Sequence, residues 1–108
     1  MTATRTSWLP CSRALPTYEV SDGFVRAYAR LSEAQRVAVR LAVTKFVEDR
    51  RQGRFRAGLR VKGIQGMPGC FELTWAADGR AVFAYGPEVR TGEPHIIWLA
   101  VGTHAILP

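Results

Sequence analysis

Residues 66–85 read GMPGCFELTWAADGRAVFAY and contain the pattern of two antiparallel strands joined by a turn. From Phe71 to Trp75 every second residue is large and apolar, which is the period of a strand with one buried face. Asp78-Gly79 predicts a tight hairpin turn, because glycine adopts a positive φ at little steric cost. We therefore expect the residues from Arg80 to Tyr85 to form the second strand of a β-hairpin.

Three other segments have the composition of strands. Residues 59–62 alternate apolar and basic side chains, residues 95–101 are mostly apolar, and residues 17–20 form a short candidate strand. The run 86–94 holds two prolines and two glycines and is typical of a loop. We expect residues 95–101 to be the central strand and residues 102–108 to leave the sheet.

Two helices are predicted ahead of the sheet. The first begins after Ser21, whose hydroxyl can accept a hydrogen bond from the first turn. Ser32 and Gln35 have the spacing of a capping box, so a longer helix begins there and runs to about Arg51, before Gly53. The predicted fold is therefore α+β, with two N-terminal helices packed on one face of a mainly antiparallel four-stranded sheet.

The length of 108 residues suits one small domain with a single core. We interpret residues 1–16 as a loose N-terminal extension, because prolines interrupt them, and residues 17–108 as the folded domain. No apolar run approaches the roughly 18 residues of a spanning helix, so a membrane association is not expected and a cytoplasmic location follows by default. Cys11 and Cys70 are too few for a disulfide framework or a metal site and are predicted to be free thiols.

The chain carries a formal net charge of +6, and much of its positive charge is concentrated in one block. That block holds no acidic residue and consists of Arg50, Arg51, Arg54, Arg56, Arg60 and Lys62. One interpretation is a solvated charged edge, and the other is a surface that binds polyanions. Because basic residues that meet phosphates release condensed counterions, the overall charge favours an anionic partner, either nucleic acid or an acidic protein.

Four short motifs, in their order along the chain, resemble the RelE/ParE superfamily of toxins from bacterial toxin–antitoxin pairs. They are LRVK at 59–62, GMPGCFEL at 66–73, DGRAVF at 78–83 and VGTH at 101–104, and the likeness covers about residues 24–107. The resemblance implies a cytoplasmic protein neutralised by an antitoxin that wraps over its surface, with operator DNA contacted only through the antitoxin complex. For RelE-like members it implies cleavage of mRNA in the ribosomal A site, without a metal or another cofactor.

The resemblance also assigns roles to individual residues. Arg80 stands where the family keeps an arginine that contacts the scissile phosphate. His104 stands where relatives carry an arginine or histidine near the reaction centre, the histidine acting in some of them as general acid. The strand after the turn carries Glu72 and Thr74 where RelE has two lysines, and the C-terminal tyrosine of some relatives is absent.

Cleavage by the ribose 2′-hydroxyl needs a base, a cation beside the phosphate and an acid for the leaving oxygen. Arg80 suits the cation, because a guanidinium binds phosphate through two hydrogen bonds and stays charged. His104 suits the acid, since histidine ordinarily titrates near neutral pH, and Glu72 is a candidate base. Each also has a structural interpretation: Arg80 as a solvated strand end, His104 as a polar tail residue, and Glu72 as an exposed carboxylate paired with Arg60 or Lys62.

Three functions remain open at this point. In the first, the chain is a ribosome-dependent mRNA endonuclease that grips RNA phosphates through Arg54, Arg56, Arg60 and Lys62. In the second, it is a non-enzymatic toxin of the ParE type that inhibits DNA gyrase by binding. In the third, it is a degenerate member that acts only in a complex with its antitoxin and helps to repress their operon. Arg80 and His104 together favour the nuclease, because a pure binder needs no acid opposite a phosphate clamp.

The aromatic residues of the predicted sheet fall at strand spacing, which favours a place in the core for Trp75, Phe83, Tyr85 and Trp98. Tyr85 or Trp75 would instead stack on a base if its ring faced the RNA. His95, at the start of an apolar strand, is interpreted as structural.

Overall fold

The computed structural model describes residues 17–108. The interpretation of residues 1–16 as a loose extension lies outside the described residues. The helices are α1 (Asp22–Arg30) and α2 (Glu33–Gln52), and the strands are β1 (Thr17–Val20), β2 (Lys62–Gly63), β3 (Cys70–Thr74), β4 (Gly79–Gly86) and β5 (His95–Thr103). Two short 3₁₀ turns, Ala57–Leu59 and His104–Ile106, complete the domain. No helix within this range is both long and apolar enough to cross a membrane.

The strands form one five-stranded sheet in the order β1-β5-β4-β3-β2. All neighbouring pairs are antiparallel except β1 and β5, which run parallel with Thr17 opposite His95. The α+β class and the mainly antiparallel sheet are confirmed, whereas the count of four strands is wrong because the short segment 17–20 joins the sheet at its edge. Strand β5 is internal, between β1 and β4, but β4 takes the central position predicted for residues 95–101; β5 extends to Thr103.

The predicted strand 59–62 is the main error in the sequence analysis. Leu59 ends a 3₁₀ turn and is buried in the core, and Arg60 follows with a left-handed backbone at φ 49°. This conformation interrupts an extended chain, so only Lys62 and Gly63 pair with β3. Burial of the Leu59 side chain through a turn therefore outweighs the local strand alternation.

Both helices begin at the predicted residues, and α2 ends at Gln52, one residue beyond its predicted end. The Ser21 hydroxyl accepts a hydrogen bond from the Phe24 N–H at 3.0 Å, and Ser32 and Gln35 form a complete capping box. Helix α2 is capped at its C-terminus by Gly53, whose φ of 80° lies in the left-handed region that glycine adopts readily. These local caps fix the lengths of both helices.

The core lies between the helices and one face of the sheet. Phe46 of α2 is fully buried, with edge-on contacts to Phe83 at 4.9 Å and Trp98 at 5.3 Å between ring centroids. The core placement of Phe83 and Trp98 is thereby confirmed. Because the aromatic side chains of β3, β4 and β5 point towards the helices, their polar neighbours lie on the second face of the sheet.

The β3–β4 hairpin is confirmed, but the role of Gly79 differs from the predicted one. Its φ is not positive, and a β-carbon on Gly79 would lie 2.5 Å from the ring of Trp75. That ring is held in place by a 2.9 Å hydrogen bond from Trp75 Nε1 to the carbonyl oxygen of Arg80. Gly79 is therefore required for close packing of the indole rather than for backbone freedom.

Candidate functional site

The second face of the sheet brings three polar residues together at one end of β3 and β4. Glu72 and Thr74 alternate along β3, and Thr74 lies directly opposite Arg80 of β4. Residues opposite each other in an antiparallel pair project from the same face, so these three side chains are neighbours. The hairpin pairing, rather than proximity in the sequence, assembles the cluster.

Arg80 is held in a defined position and is not a solvated strand end. Only 13% of its side chain is exposed, and its Nη1 donates to the carbonyl oxygens of Ala76, Ala77 and Gly79 at 2.9–3.4 Å. Its Nε is buried 3.5 Å from Glu72 Oε1 and makes no hydrogen bond within the described residues. The turn therefore anchors one edge of the guanidinium and leaves another edge unsatisfied.

Glu72 is the acidic partner of Arg80. The residue is buried, which overturns the expectation of an exposed carboxylate, and the ion pair predicted with Arg60 or Lys62 is wrong. Lys62 lies opposite Glu72 in the β2–β3 pairing but is exposed. A buried carboxylate is costly without a cation nearby, so Arg80 and Glu72 depend on each other.

Thr74 Oγ1 is a second buried polar atom without a hydrogen bond within residues 17–108. It projects from the same face as Arg80, whose Nε is likewise unsatisfied. Most buried polar groups in folded proteins are hydrogen-bonded, and each exception calls for an explanation, such as a catalytic role or a bound water or ion. This end of the sheet therefore has unused capacity to bind a polar ligand, and its strongest donor is cationic.

His104 lies at the same end of the sheet, at the start of the C-terminal 3₁₀ turn. The backbone N–H of His104 donates to the Asp78 carbonyl oxygen at 2.7 Å, and this hydrogen bond connects the C-terminal turn to the hairpin. Gly102 lies directly opposite Arg80, and the Ile106 side chain packs over it. A β-carbon added to Gly102 would lie only 2.8 Å from Ile106 Cγ2. The His104 side chain is exposed and makes no hydrogen bond or ion pair with Arg80 or Glu72.

The four residues of the basic block that were predicted to bind RNA, Arg54, Arg56, Arg60 and Lys62, divide into two groups. Arg56 is bound to α2: its backbone N–H and its Nε donate to Asp49 Oδ2 at 2.7 and 2.9 Å, and its Nη2 reaches Asp49 Oδ1 and Glu48. These hydrogen bonds lower the pKa of Asp49 and raise that of Arg56. Arg54, Arg60 and Lys62 are exposed and have no ion pair among residues 17–108. Arg56 thus links the connecting loop to the helix, while the other three face solvent.

No protein-family model and no curated protein matches the sequence. Solved structures do match: a chain of the DinJ–YafQ toxin–antitoxin complex of E. coli superposes with a TM-score of 0.61 at 16% identity, over 83% of this chain and 93% of that chain. The chain has the fold of the RelE and YafQ toxins. A chain of the RelB–RelE antitoxin–toxin complex of Methanococcus jannaschii gives 0.54 at 16% identity, over 81% and 91%. A copper-bound mutant toxin of Helicobacter pylori gives 0.58 at 14% identity, over 87% and 99%.

Within this RelE-like fold, the remaining predicted residues have clear positions. His95 is buried, with Nδ1 2.8 Å from Thr17 Oγ1 and Nε2 2.9 Å from Glu19 Oε1, so its structural interpretation is confirmed. Trp75 is half-buried and lines a groove of about 400 Å³ between α2 and the hairpin. Tyr85 keeps 41% of its surface exposed and is therefore not a core residue.

Sequence reasoning missed two features of the RelE-like fold. The contact of Ile106 with Gly102 joins the C-terminal turn to the strand beside Arg80, and only the β4–β5 pairing shows that they meet. The second is the position of Arg50 over the Tyr85 ring, 5.4 Å from its centroid. Tyr85 and the basic block are both visible in the sequence, but the exposure of the ring and its contact with Arg50 depend on where α2 ends above the sheet.

Proposed function

We propose that this chain is a RelE-like toxin of a toxin–antitoxin pair that cleaves mRNA on the ribosome, without a metal or another cofactor. The arrangement of Arg80 carries the proposal: a nearly buried guanidinium, anchored by the hairpin turn, with an unsatisfied Nε beside a carboxylate. The fold supports it, because the similar solved chains come from toxin–antitoxin complexes. The proposed partners are a cognate antitoxin and ribosome-bound mRNA in the cytoplasm, with operator DNA contacted only through the antitoxin complex.

Arg80 is suited to bind a phosphate whose negative charge increases during reaction. Three carbonyl oxygens fix Nη1, so the guanidinium does not have to be ordered when RNA binds. Pre-oriented donors in a site that excludes water stabilise transition-state charge more strongly than mobile, solvated ones. A phosphate oxygen would take the place of Glu72 as the partner of Nε, and its binding would release the carboxylate.

The released Glu72 carboxylate is the proposed base. It accepts the proton of the ribose 2′-hydroxyl, the 2′ oxygen bonds to phosphorus, and the bond from phosphorus to the 5′ oxygen breaks. Protonated His104 gives a proton to the departing 5′ oxygen, and the upstream fragment ends in a 2′,3′-cyclic phosphate. The hydrogen bond from the backbone N–H of His104 to the Asp78 carbonyl oxygen keeps His104 at the hairpin end of the sheet, where Arg80 lies.

Arg54, Arg60 and Lys62 are the proposed contacts to RNA phosphates outside the reaction centre. All three side chains are exposed. Removing any one of them should make the slope of log K for RNA binding against log salt concentration shallower by about 0.7. Arg56 belongs to the same proposed set, but its contacts with Asp49 and Glu48 occupy much of its guanidinium. Its replacement is therefore expected to affect folding as well as binding.

The test is brief induced expression followed by mapping of mRNA 5′ ends and measurement of growth. The parent protein should stop growth and leave cut mRNA, while Arg80→Ala should reduce cleavage about 10²- to 10³-fold, as expected for loss of one transition-state donor. Arg90→Ala is the matched control, because Arg90 is exposed and pairs only distantly with Glu93, at 4.0 Å. Thermal unfolding of Arg80→Ala shows whether the buried Glu72 charge left without its partner has disrupted the fold.

Three outcomes would contradict the proposal. Full toxicity of a folded Arg80→Ala variant would show that the reaction centre is wrongly assigned. Intact mRNA together with DNA damage would indicate gyrase inhibition of the ParE type. Normal growth with the parent protein at high expression would leave only a role in complex with the antitoxin.

A further inference from the structure

Tyr85 forms a partly exposed aromatic surface at the far end of β4 from Arg80. Its ring meets Phe71 and Phe83 edge-on, with centroids 5.5 and 5.8 Å away, yet 41% of the residue remains exposed. The contacts fix the ring on two sides without covering it. A rigid, exposed tyrosine of this kind can stack against another planar group at little cost in conformational entropy.

Arg50, near the end of α2, lies over this ring with its guanidinium carbon 5.4 Å from the centroid. Its Nε is buried without a hydrogen bond, and no acidic side chain within residues 17–108 lies within ion-pair distance of it. Arg51, in the last turn of α2, and Arg54, just after the Gly53 cap, are exposed. Arg50 therefore places an unneutralised positive charge over an exposed aromatic ring, close in sequence to two further exposed arginines.

This patch is distinct from the candidate reaction centre. Tyr85 is five residues from Arg80 along β4, a separation of about 17 Å in an extended strand. It also lies on the helix side of the sheet, since Ala84 shares the second face with Cys70 and successive side chains alternate. A ligand at Tyr85 would thus not contact Arg80 or Glu72 directly.

We propose that Arg50 and Tyr85 form a stacking platform for a base of single-stranded RNA, whose flanking phosphates are bound by Arg51 and Arg54. A base is planar and can stack on either the tyrosine ring or the guanidinium, and arginines beside the ring suit the adjoining backbone. An acidic peptide would be attracted by the charges alone and would not need the exposed ring. The inference rests on the proposed function in taking RNA as the ligand, but it involves no step of cleavage.

The test is fluorescence anisotropy with a labelled single-stranded RNA of about 12 nucleotides, the upper range for one stacking groove, and a duplex of the same sequence. All proteins carry Arg80→Ala, so that the probe is not cleaved. Tyr85→Leu is expected to weaken single-strand binding about tenfold and to leave duplex binding unchanged, because paired bases are not free to stack. Tyr85→Phe keeps the ring and should bind within about twofold of the parent.

Phosphate binding is tested separately with Arg51→Gln and a matched control, Arg30→Gln, which removes the same charge from an exposed position on α1. Arg51→Gln should weaken binding and lower the slope of log K against log salt by about 0.7, whereas Tyr85→Leu should leave that slope unchanged. Thermal unfolding of each variant confirms that it is folded.

The platform is refuted if Tyr85→Leu binds single-stranded RNA as tightly as the parent, or if Tyr85→Phe is as weak as Tyr85→Leu. Unchanged RNA binding by Tyr85→Leu, together with weaker binding of a glutamate-rich peptide, would identify the patch as a protein-binding surface instead. Failure of the proposed nuclease function is seen in a different measurement, the toxicity and mRNA cleavage of Arg80→Ala, so the two failures are distinguishable.

Discussion

Replacing Gly79 with alanine should destabilise the domain through a single clash. The added β-carbon would lie 2.5 Å from two ring carbons of Trp75, whereas such carbons ordinarily approach to about 3.5–4.0 Å. The ring must therefore move by about 1 Å, which breaks the 2.9 Å hydrogen bond from Trp75 Nε1 to the Arg80 carbonyl oxygen. Overpacking typically costs about 1–3 kcal/mol, and a lost hydrogen bond about 1 kcal/mol. We expect a loss of about 2–4 kcal/mol in the free energy of unfolding.

Urea unfolding, followed by tryptophan fluorescence and circular dichroism, measures this loss. Gly58→Ala is the matched control, because no atom lies within 4 Å of its added β-carbon and its φ is not positive, so its stability should change by less than about 0.5 kcal/mol. The double variant Trp75→Leu/Gly79→Ala tests whether the clash with the indole is the cause. In the Trp75→Leu background, where the smaller side chain leaves room for the added β-carbon, Gly79→Ala should lower the free energy of unfolding much less than it does in the parent. A Gly79→Ala protein within about 0.5 kcal/mol of the parent would refute the reasoning.

Three further predictions concern the core, the basic block and the C-terminal turn. Phe46→Ala should lose about 3–5 kcal/mol in urea unfolding, because it removes a fully buried ring between two aromatic neighbours. Asp49→Asn should destabilise the protein at neutral pH. Its hydrogen bonds to Arg56 lower the folded-state pKa of Asp49, so the stabilisation is fully present above about pH 3.8 and is lost as pH falls from there through the folded-state pKa, and the effect of the substitution should shrink over that range. Equal losses at pH 7 and pH 3 would contradict that assignment. Gly102→Ala should reduce mRNA cleavage by at least about tenfold through displacement of the turn that carries His104, and adding Ile106→Ala should restore much of it.

The helices could be predicted from the sequence because their ends depend on local chemistry. Ser21, the pair Ser32 and Gln35, and Gly53 each act within one helical turn of their own position. Residues 59–62 show the limit of such reasoning. Their alternation is that of a strand, but burial of Leu59 in the core and the left-handed backbone of Arg60 are decided by elements distant in sequence.

The candidate site could be predicted only in part for the same reason. Arg80 was identified through a resemblance, and its burial and anchoring by the turn required the structure. In its structural interpretation, Glu72 is expected to pair with Arg60 or Lys62, whereas the β3–β4 pairing places it beside Arg80. The charge composition predicts an anionic ligand. The structure is needed to distinguish Arg56, which is bound to Asp49 and Glu48, from the basic residues that face solvent.

The parallel pairing of β1 with β5 has a consequence for the order in which the chain can fold. Thr17 and His95 are 78 positions apart, so the first strand has no partner until most of the chain has been synthesised. Contacts between residues so distant in sequence form slowly and late. The same last strand supplies Gly102 opposite Arg80 and leads into His104. A partly synthesised chain therefore contains Arg80 without the strand and turn that complete its surroundings, and the candidate site forms only when translation of the domain is nearly finished.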